Sequence, residues 1–367
     1  MAWWPGSSYS PIAVDFGSQG LRLLQLVRRA GGWQVSAMAS RTMPADARQS
    51  ARERTEAISE LIHSALGDGR FKGAQAVSGL PASAVHYKNI RLPKMPPDEL
   101  DAAIQFEASD RLDFKPDRYA VQYFDAGEIR QGDDTREEII ILAAPHKLVD
   151  QHLEALTLGG LEPVALEPAP LALARFSRLL PTEDDGGVAV VIDIGHTHSK
   201  VAMVRHGRVV FFKLIDIGGQ TLDQHVADRL DMPLTDAADL RRRLASEPAD
   251  SATGNERQSN VRRAVTEAMR HGTDELGREI ALCLRYYSVT FRGKRPAAAH
   301  LVGGQANDPK VCELLEESIG VQTRPIQPIE TLTGQPLDDD GDGTGDWALA
   351  IGLAMRGSDS VAKRRAA

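Results

Sequence analysis

Two short stretches of the chain carry residue types suited to phosphate and cation chemistry. Asp15-Phe16-Gly17-Ser18-Gln19-Gly20-Leu21-Arg22 returns in outline 178 residues later as Asp193-Ile194-Gly195-His196-Thr197-His198-Ser199-Lys200. Each copy reads aspartate, apolar residue, glycine, four variable residues and a cation. Gly17 and Gly195 let the backbone approach a ligand closely, and amide groups exposed in such a turn form a concavity for anions. Ser18 adds a hydroxyl donor and Arg22 a permanent positive charge. Two aspartates facing each other across a phosphate would repel it unless a cation lay between them. A Mg2+ ion that keeps most of its waters suits that place. A lone Asp-x-Gly marks no more than a hairpin turn. The second copy, in the same strand–loop–strand setting, points to a nucleotide held between two related lobes. A third stretch, His300-Leu301-Val302-Gly303-Gly304-Gln305-Ala306, is an apolar run entering paired glycines, where a flat base or ribose could lie against backbone.

Loops of this kind need strands to hold them. Apolar runs at 12–15, 21–27 and 33–43 are expected to be strands, with Gly31-Gly32 turning the last pair. Ala57, Ile58, Leu61, Ile62, Ala65 and Leu66 recur at helical spacing, and Gly67-Asp68-Gly69 stops that helix. A further strand is expected at 76–80. Residues 82–162 have another texture: strand 85–92, a helix from Pro96-Pro97-Asp98 to about 112, strands 119–124 and 138–144, and helix 146–158 ended by Gly159-Gly160. This reads as a compact α/β module inserted in the first lobe. Strand 164–166, helix 169–180 and an acidic linker at 182–187 follow. The opening pattern then returns as strands 188–194, 199–205 and 208–215. Residues 221–292 are expected to be mainly helical around a polar stretch at 246–260. Strand 298–302, helix 309–319 and a last helix at 346–355 complete the pattern. The acidic run 338–346 lacks the closing glutamate of an EF-hand and is expected to be a solvated loop.

Composition sets the bounds. The 367 residues are 42% hydrophobic and 26% charged, ordinary for a globular protein large enough for two or three domains. A formal net charge of -8 argues against a nucleic-acid scaffold. Cys283 and Cys312 form no C-x-x-C pair, so neither a zinc ribbon nor a disulfide framework is expected. No signal peptide and no membrane span is expected, because the longest apolar runs fall well short of the roughly 20 residues a bilayer needs. The segment 358–367 has only Val361 as a large apolar residue, too little to hold a membrane.

In order and spacing, the three loops resemble the phosphate 1, phosphate 2 and adenosine motifs of the superfamily of actin, sugar kinases and chaperone ATPases. An insert after the first hairpin is similar to that of FtsA and of PilM, the type IV pilus assembly family. The opening D-F-G-S-Q-G-L-R-L-L-Q-L resembles PilM more than FtsA. So do Leu166-Glu167-Pro168-Ala169-Pro170-Leu171-Ala172-Leu173, Gly218-Gly219-Gln220-Thr221-Leu222 and Ala350-Ile351-Gly352-Leu353-Ala354-Met355-Arg356-Gly357. The resemblance covers about 11–357.

The resemblance implies a bilobed actin-like ATPase fold of two RNase H-like lobes. The first lobe would comprise 11–81, 163–186 and 345–357, the insert 82–162, and the second lobe 187–344 with helices at 221–292. It implies ATP and Mg2+ as ligands. Asp15, Gly17, Ser18 and Arg22 fall in phosphate 1, Asp193, Gly195, Thr197 and Lys200 in phosphate 2, and Gly303 and Gly304 in the adenosine motif. Asp15 and Asp193 would serve the metal and the chemistry, and Glu167 would orient an attacking water. Arg22 replaces a lysine, which keeps the charge but changes reach and geometry. Two departures argue for at most a slow ATPase: Asp223 replaces a threonine, and His196 and His198 are bulky. The implied role is a cytoplasmic scaffold of a pilus or related secretion assembly. Its partner would be the N-terminal tail of a PilN-like inner-membrane protein, docked where 85–92 and 98–112 meet the first lobe. Self-association is a further possibility. An FtsA-like cell-division protein and a small-molecule kinase are the alternatives.

Overall fold

The computed structural model describes residues 9–44, 51–67, 70–112, 118–131, 134–181, 187–247, 256–291, 295–333 and 346–356. Most of the acidic linker, of the polar stretch after 246 and of the acidic run before Asp346, and all of the 358–367 segment, lie outside them.

The chain opens with β1 (Ile12–Phe16), β2 (Gly20–Arg29) and β3 (Gly32–Thr42), an antiparallel meander. Helix α1 (Ala51–Gly67) returns the chain to β4 (Gln75–Gly79), which lies parallel to β1. All five residues of β1 are buried, as a strand covered on both faces requires. The insert follows: β5 (His86–Pro93), α2 (Pro97–Leu112), β6 (Tyr119–Gln131) and β7 (Asp134–Pro145). These strands pair in the order β5-β7-β6. Alternation sorts the faces of β7: Ile139 and Ile141 pack with Ile104 and Ala108 of α2, while Ile140 joins Val209 and Phe212 of the second lobe. The insert is thus a sheet held between its own helix and the second lobe, with Arg91 paired to the fully buried Glu138 at 3.0 Å.

Helix α3 (His146–Leu158) corrects the expected boundary of the insert. Its Ala155 and Leu156 pack with Ile58, Ile62 and Ala65 of α1, in the core of the first lobe. Gly159 leaves no room for a side chain, since a Cβ there would stand 2.7 Å from Ile62 Cβ. The helix therefore belongs with β8 (Glu162–Glu167), which completes the first sheet as β3-β2-β1-β4-β8.

Helix α4 (Ala169–Phe176) leads to the second lobe. There β9 (Val188–Ile194), β10 (Ser199–Arg205) and β11 (Arg208–Ile215) repeat the meander. Helices α5 (Gly219–Leu230), α6 (Leu234–Ser246) and α7 (Glu256–Thr290) follow. On α7 the buried Val265, Met269, Leu276, Ile280, Cys283 and Tyr287 recur at three- to four-residue steps or their multiples, the stripe a packed helix presents. Then come β12 (Ala298–Val302), α8 (Pro309–Ile319), β13 (Gln322–Pro325) and α9 (Ala348–Ala354). The second sheet runs β11-β10-β9-β12-β13, the same order and sense as the first. The sequence repeat is therefore a structural repeat. Helices α4 and α9 lie between the two sheets: Ala172, Leu173 and Phe176 of α4 and Ile351 and Leu353 of α9 share one core with Ala13, Leu24, Val191 and Ala202. At Gly352 the helices meet backbone to backbone, and a Cβ would overlap the carbonyl oxygen of Ala172.

Candidate functional site

The pleat decides where the repeated residues point. On β1, Ile12, Val14 and Phe16 face the outer core with α1 and α3, and Ala13 faces the shared core between the lobes. Asp15 has the parity of Ala13 and so faces inward. On β9, Val190, Ile192 and Ile194 face the helices of the second lobe, and Val191 faces inward, with Asp193 at the same parity. Arg22 shares the face of Leu24 and Leu26, and Lys200 that of Ala202 and Val204. In both hairpins the cation is the cross-strand partner of the aspartate, Asp15 opposite Arg22 and Asp193 opposite Lys200. Both turns close alike: Gly17 N–H donates to the Gly20 carbonyl at 2.8 Å, and Gly195 N–H to the His198 carbonyl at 3.0 Å.

These residues border a cleft of two adjoining cavities. The smaller, about 290 Å3, is lined by Asp15, Gly17, Ser18, Arg22, Asp193, Gly195, Thr197 and Lys200. The larger, about 550 Å3, is lined by Gly20, Ser40, Asp223, Arg241, Gly304, Gln305 and Asn307. Gln19, Arg22, His196 and Asp346 border both. Volumes of this order suit a small-molecule ligand. The charges within are compensated unevenly. Lys200 Nζ holds Asp193 Oδ2 at 2.7 Å, whereas Arg22 turns to Asp346, 2.8 Å away. Burial raises the pKa of Asp15, with Arg22 and Lys200 opposing and Asp193 reinforcing. Asp346 is raised in the same way, by burial first, against the pull of Arg22 and with Asp193 and Asp15 adding to the shift. Burial works against the charge on Lys200, yet Asp193, Asp15 and Asp346 together raise its pKa.

Sequence reasoning placed Asp346 in a solvated loop. It sits instead in the cleft, one residue before the buried Trp347 that precedes α9. The network around Arg241 was also missed. This buried guanidinium donates to Asp223 Oδ1 at 2.6 Å, to the Gly219 carbonyl at 3.0 Å and to Gln305 Oε1 at 2.8 Å. It ties α5, α6 and the turn after β12 together beside the larger cavity. The departure at Asp223 is thus matched by a partner 18 residues on, a pairing that only the unusual buried-acid position could have hinted at. Gly303 has φ +92, and a Cβ there would stand 2.5 Å from Asp193 Oδ1 and 2.6 Å from the Ile194 carbonyl. Glycine is required at 303 by both conformation and space. Gly304 is open and lines the larger cavity, whereas Gly303 packs beneath the second hairpin.

Glu167 is the main correction. Its carboxylate is buried and bound by Arg175, with Nη1–Oε2 2.6 Å and Nη2–Oε1 2.7 Å, and also by Arg356. It lines neither cavity. Arg175 and Arg356 both donate to Oε1, while Oε2 faces Arg175 Nη1 as an ion pair with no hydrogen bond among the described residues. The carboxylate is thus held by two arginines away from both cavities.

The residues present fit a magnesium–nucleotide ligand. Asp193 Oδ1 is buried with no hydrogen-bond partner among the described residues, an acceptor left unpaired at the wall of the smaller cavity. Three carboxylates, Asp15, Asp193 and Asp346, line the smaller cavity with three basic side chains, Arg22, Arg54 and Lys200, so an added polyphosphate would bring uncompensated negative charge that a divalent cation could offset.

Two lobes with the same sheet order, matched hairpins facing one cleft and a helix pair between the sheets define a bilobed actin-like ATPase fold. Within that class, the chain belongs to the PilM family of type IV pilus assembly proteins, whose family model, "Type IV pilus assembly protein PilM", matches residues 13–358. It is similar to a solved structure titled "PilM-PilN type IV pilus biogenesis complex", with a TM-score of 0.75 and 23% identity over 95% of this chain and 98% of that one. It is also similar to the ethanolamine utilization protein EutJ from Carboxydothermus hydrogenoformans, with a TM-score of 0.51 and 16% identity over 96% of this chain and 91% of that one. At these identities the likeness speaks for the fold. Among the described residues no helix is long and apolar enough to cross a membrane.

Proposed function

We propose that this chain binds ATP with Mg2+ between its lobes and acts as a scaffold of a type IV pilus or related secretion assembly on the cytoplasmic side of the membrane. The observation that carries the reading is the matched pair of hairpins, each placing an aspartate and its cross-strand cation on the inner face of one cleft. Lys200, Arg22, Ser18, Thr197 and the turn amides would hold phosphate oxygens. Asp15 and Asp193 would hold the waters of the ion. When bound, Mg2+ supplies the positive charge that lets phosphates sit between two acids. Gly304 and Gln305, braced by Arg241, would border the nucleoside. With Glu167 held by two arginines, no carboxylate other than Asp15, Asp193 and Asp346 lines the smaller cavity among the described residues, which supports slow turnover at most.

Recruitment would come from the N-terminal cytoplasmic tail of a PilN-like inner-membrane protein. The similar solved structure is titled as a PilM–PilN complex, which supports that partner class. The proposed dock is where β5 and α2 of the insert meet the first lobe. β5 pairs only with β7 among the described strands, so its other edge can accept an extended peptide. Calorimetric titration of ATP, with and without Mg2+, tests the central claim. Wild type should bind in the presence of Mg2+ and Asp193→Ala should not. Absence of binding by wild type at millimolar ATP would leave the cleft without its proposed ligand.

A further inference from the structure

The helical layer of the second lobe holds a group of side chains that the nucleotide cleft does not use. His225 on α5 and His271 and Glu275 on α7 each bring a ligand atom within 4.8 Å of the others. His271 and Glu275 stand four residues apart and share one face of the helix, and His225 reaches them from its neighbour. The two imidazoles meet edge to face, with centroids 5.0 Å apart and planes at 88°. Nε2 of His225 is buried and has no hydrogen-bond partner among the described residues. A buried ring nitrogen in that state calls for an explanation.

The backbone makes room for this arrangement. Gly272 lies inside a 35-residue helix, where glycine is unfavourable. A Cβ there would stand 2.8 Å from Leu222 Cδ2, 2.9 Å from His225 Cδ2 and 3.4 Å from its Nε2, so the glycine lets α5 pack closely on α7 at both side chains. Any side chain at 272 would push the imidazole off α7 and away from His271 and Glu275.

We infer that His225, His271 and Glu275 form a site for a divalent transition-metal ion, with Zn2+ the best match. Imidazole nitrogens suit Zn2+, whereas Mg2+ and Ca2+ take oxygen ligands. Two imidazoles and a carboxylate supply three corners of a tetrahedron and leave the fourth for water or a group from another molecule. Bonds of about 2.0–2.2 Å put ligand atoms roughly 3.3 Å apart. Small rotations of the exposed His271 and Glu275 close the present spacing. The bound ion would join α5 to α7. The first turn of α5 closes the second hairpin, because Gly219 N–H donates to the Gly195 carbonyl at 3.0 Å and Gln220 N–H to the His196 carbonyl at 2.7 Å. The ion therefore braces a helix that meets the cleft at its other end.

The test uses untagged, full-length protein stripped with a chelator. It is dialysed against ZnCl2, and bound metal is counted by mass spectrometry. Affinity is read by competition with a chromophoric chelator. Wild type should hold one Zn2+ per chain, and His271→Ala and Glu275→Gln should each weaken binding by about ten-fold or more. Both positions are exposed, so the variants should keep the wild-type circular dichroism spectrum. Zinc should raise the melting temperature of wild type and leave that of His271→Ala unchanged. Wild type that holds no zinc at micromolar free metal, or variants that bind it as tightly as wild type, would overturn the assignment.

Discussion

Replacing Lys200 with alanine probes the electrostatics of the cleft. Lys200 Nζ lies 2.7 Å from Asp193 Oδ2, and the two side chains are 13% and 3% exposed. Asp193 Oδ1 already has no hydrogen-bond partner among the described residues. Without the ammonium, the carboxylate would be buried with neither oxygen paired, in a cleft it shares with Asp15. Removing one partner of a buried ion pair costs about 3–5 kcal/mol, against roughly 0–1 kcal/mol for an exposed pair. At a few degrees per kcal/mol, the melting temperature should fall by roughly 5–10 °C. Magnesium gives a second signature. Wild type has a protein cation beside Asp193 and the variant has none, so Mg2+ alone should stabilise the variant more than wild type. The double replacement Asp193→Asn with Lys200→Met should recover most of the loss, because it leaves no buried charge. Differential scanning fluorimetry with and without Mg2+ reads all of these. A loss below about 1 kcal/mol, the value of a solvated pair, or an equal Mg2+ response in both proteins, would refute the reasoning.

Glu167→Gln should lower stability by about 3 kcal/mol, because it uncouples Arg175 and Arg356, while ATP affinity stays as in wild type; a large change in affinity measured by calorimetry would return Glu167 to the site. His152 is buried, with Nε2 2.8 Å from Ser78 Oγ, and burial, helped by Arg54, lowers its pKa from 6.5 to about 4. In that window the unfolded chain binds a proton that the native state does not. Stability should therefore fall as pH drops from 6.5 to about 4, by up to about 3 kcal/mol. His152→Gln should flatten the melting temperature across this range. Gly352→Ala gains about 1 kcal/mol in helix propensity but drives a methyl into the Ala172 carbonyl, so chemical denaturation should show a net loss of about 1–3 kcal/mol.

Much of the cleft was legible before any coordinates, because it is written in local periods. The Asp-x-Gly loops recur at the ends of apolar strands, and two-residue alternation along β1 and β9 already sets Asp15 with Ala13 and Asp193 with Val191. The cation seven residues after each aspartate is its cross-strand neighbour because the intervening turn has the same length in both copies. Gly303 was legible for its type, though its role in packing beneath Asp193 was not. The helix at 146–158 was read correctly as a helix and assigned to the wrong body, since an apolar face shows that a helix is buried but not against what.

The sequence by itself determined two copies of one strand–loop–strand unit, the residue types that line their turns, and which face of each strand those residues share. These follow from short-range geometry, in which neighbours along the chain are neighbours in space. Only the tertiary structure decided the partners that come from far away. Arg356 arrives beside Glu167 from 189 residues on and turns an apparent catalytic acid into an ion-pair anchor. Asp346 returns to Arg22 across nearly the whole chain, and Arg241 answers Asp223 from the next helix. Which buried charge finds which depends on how distant elements pack within each lobe, and no periodicity along the sequence records that packing.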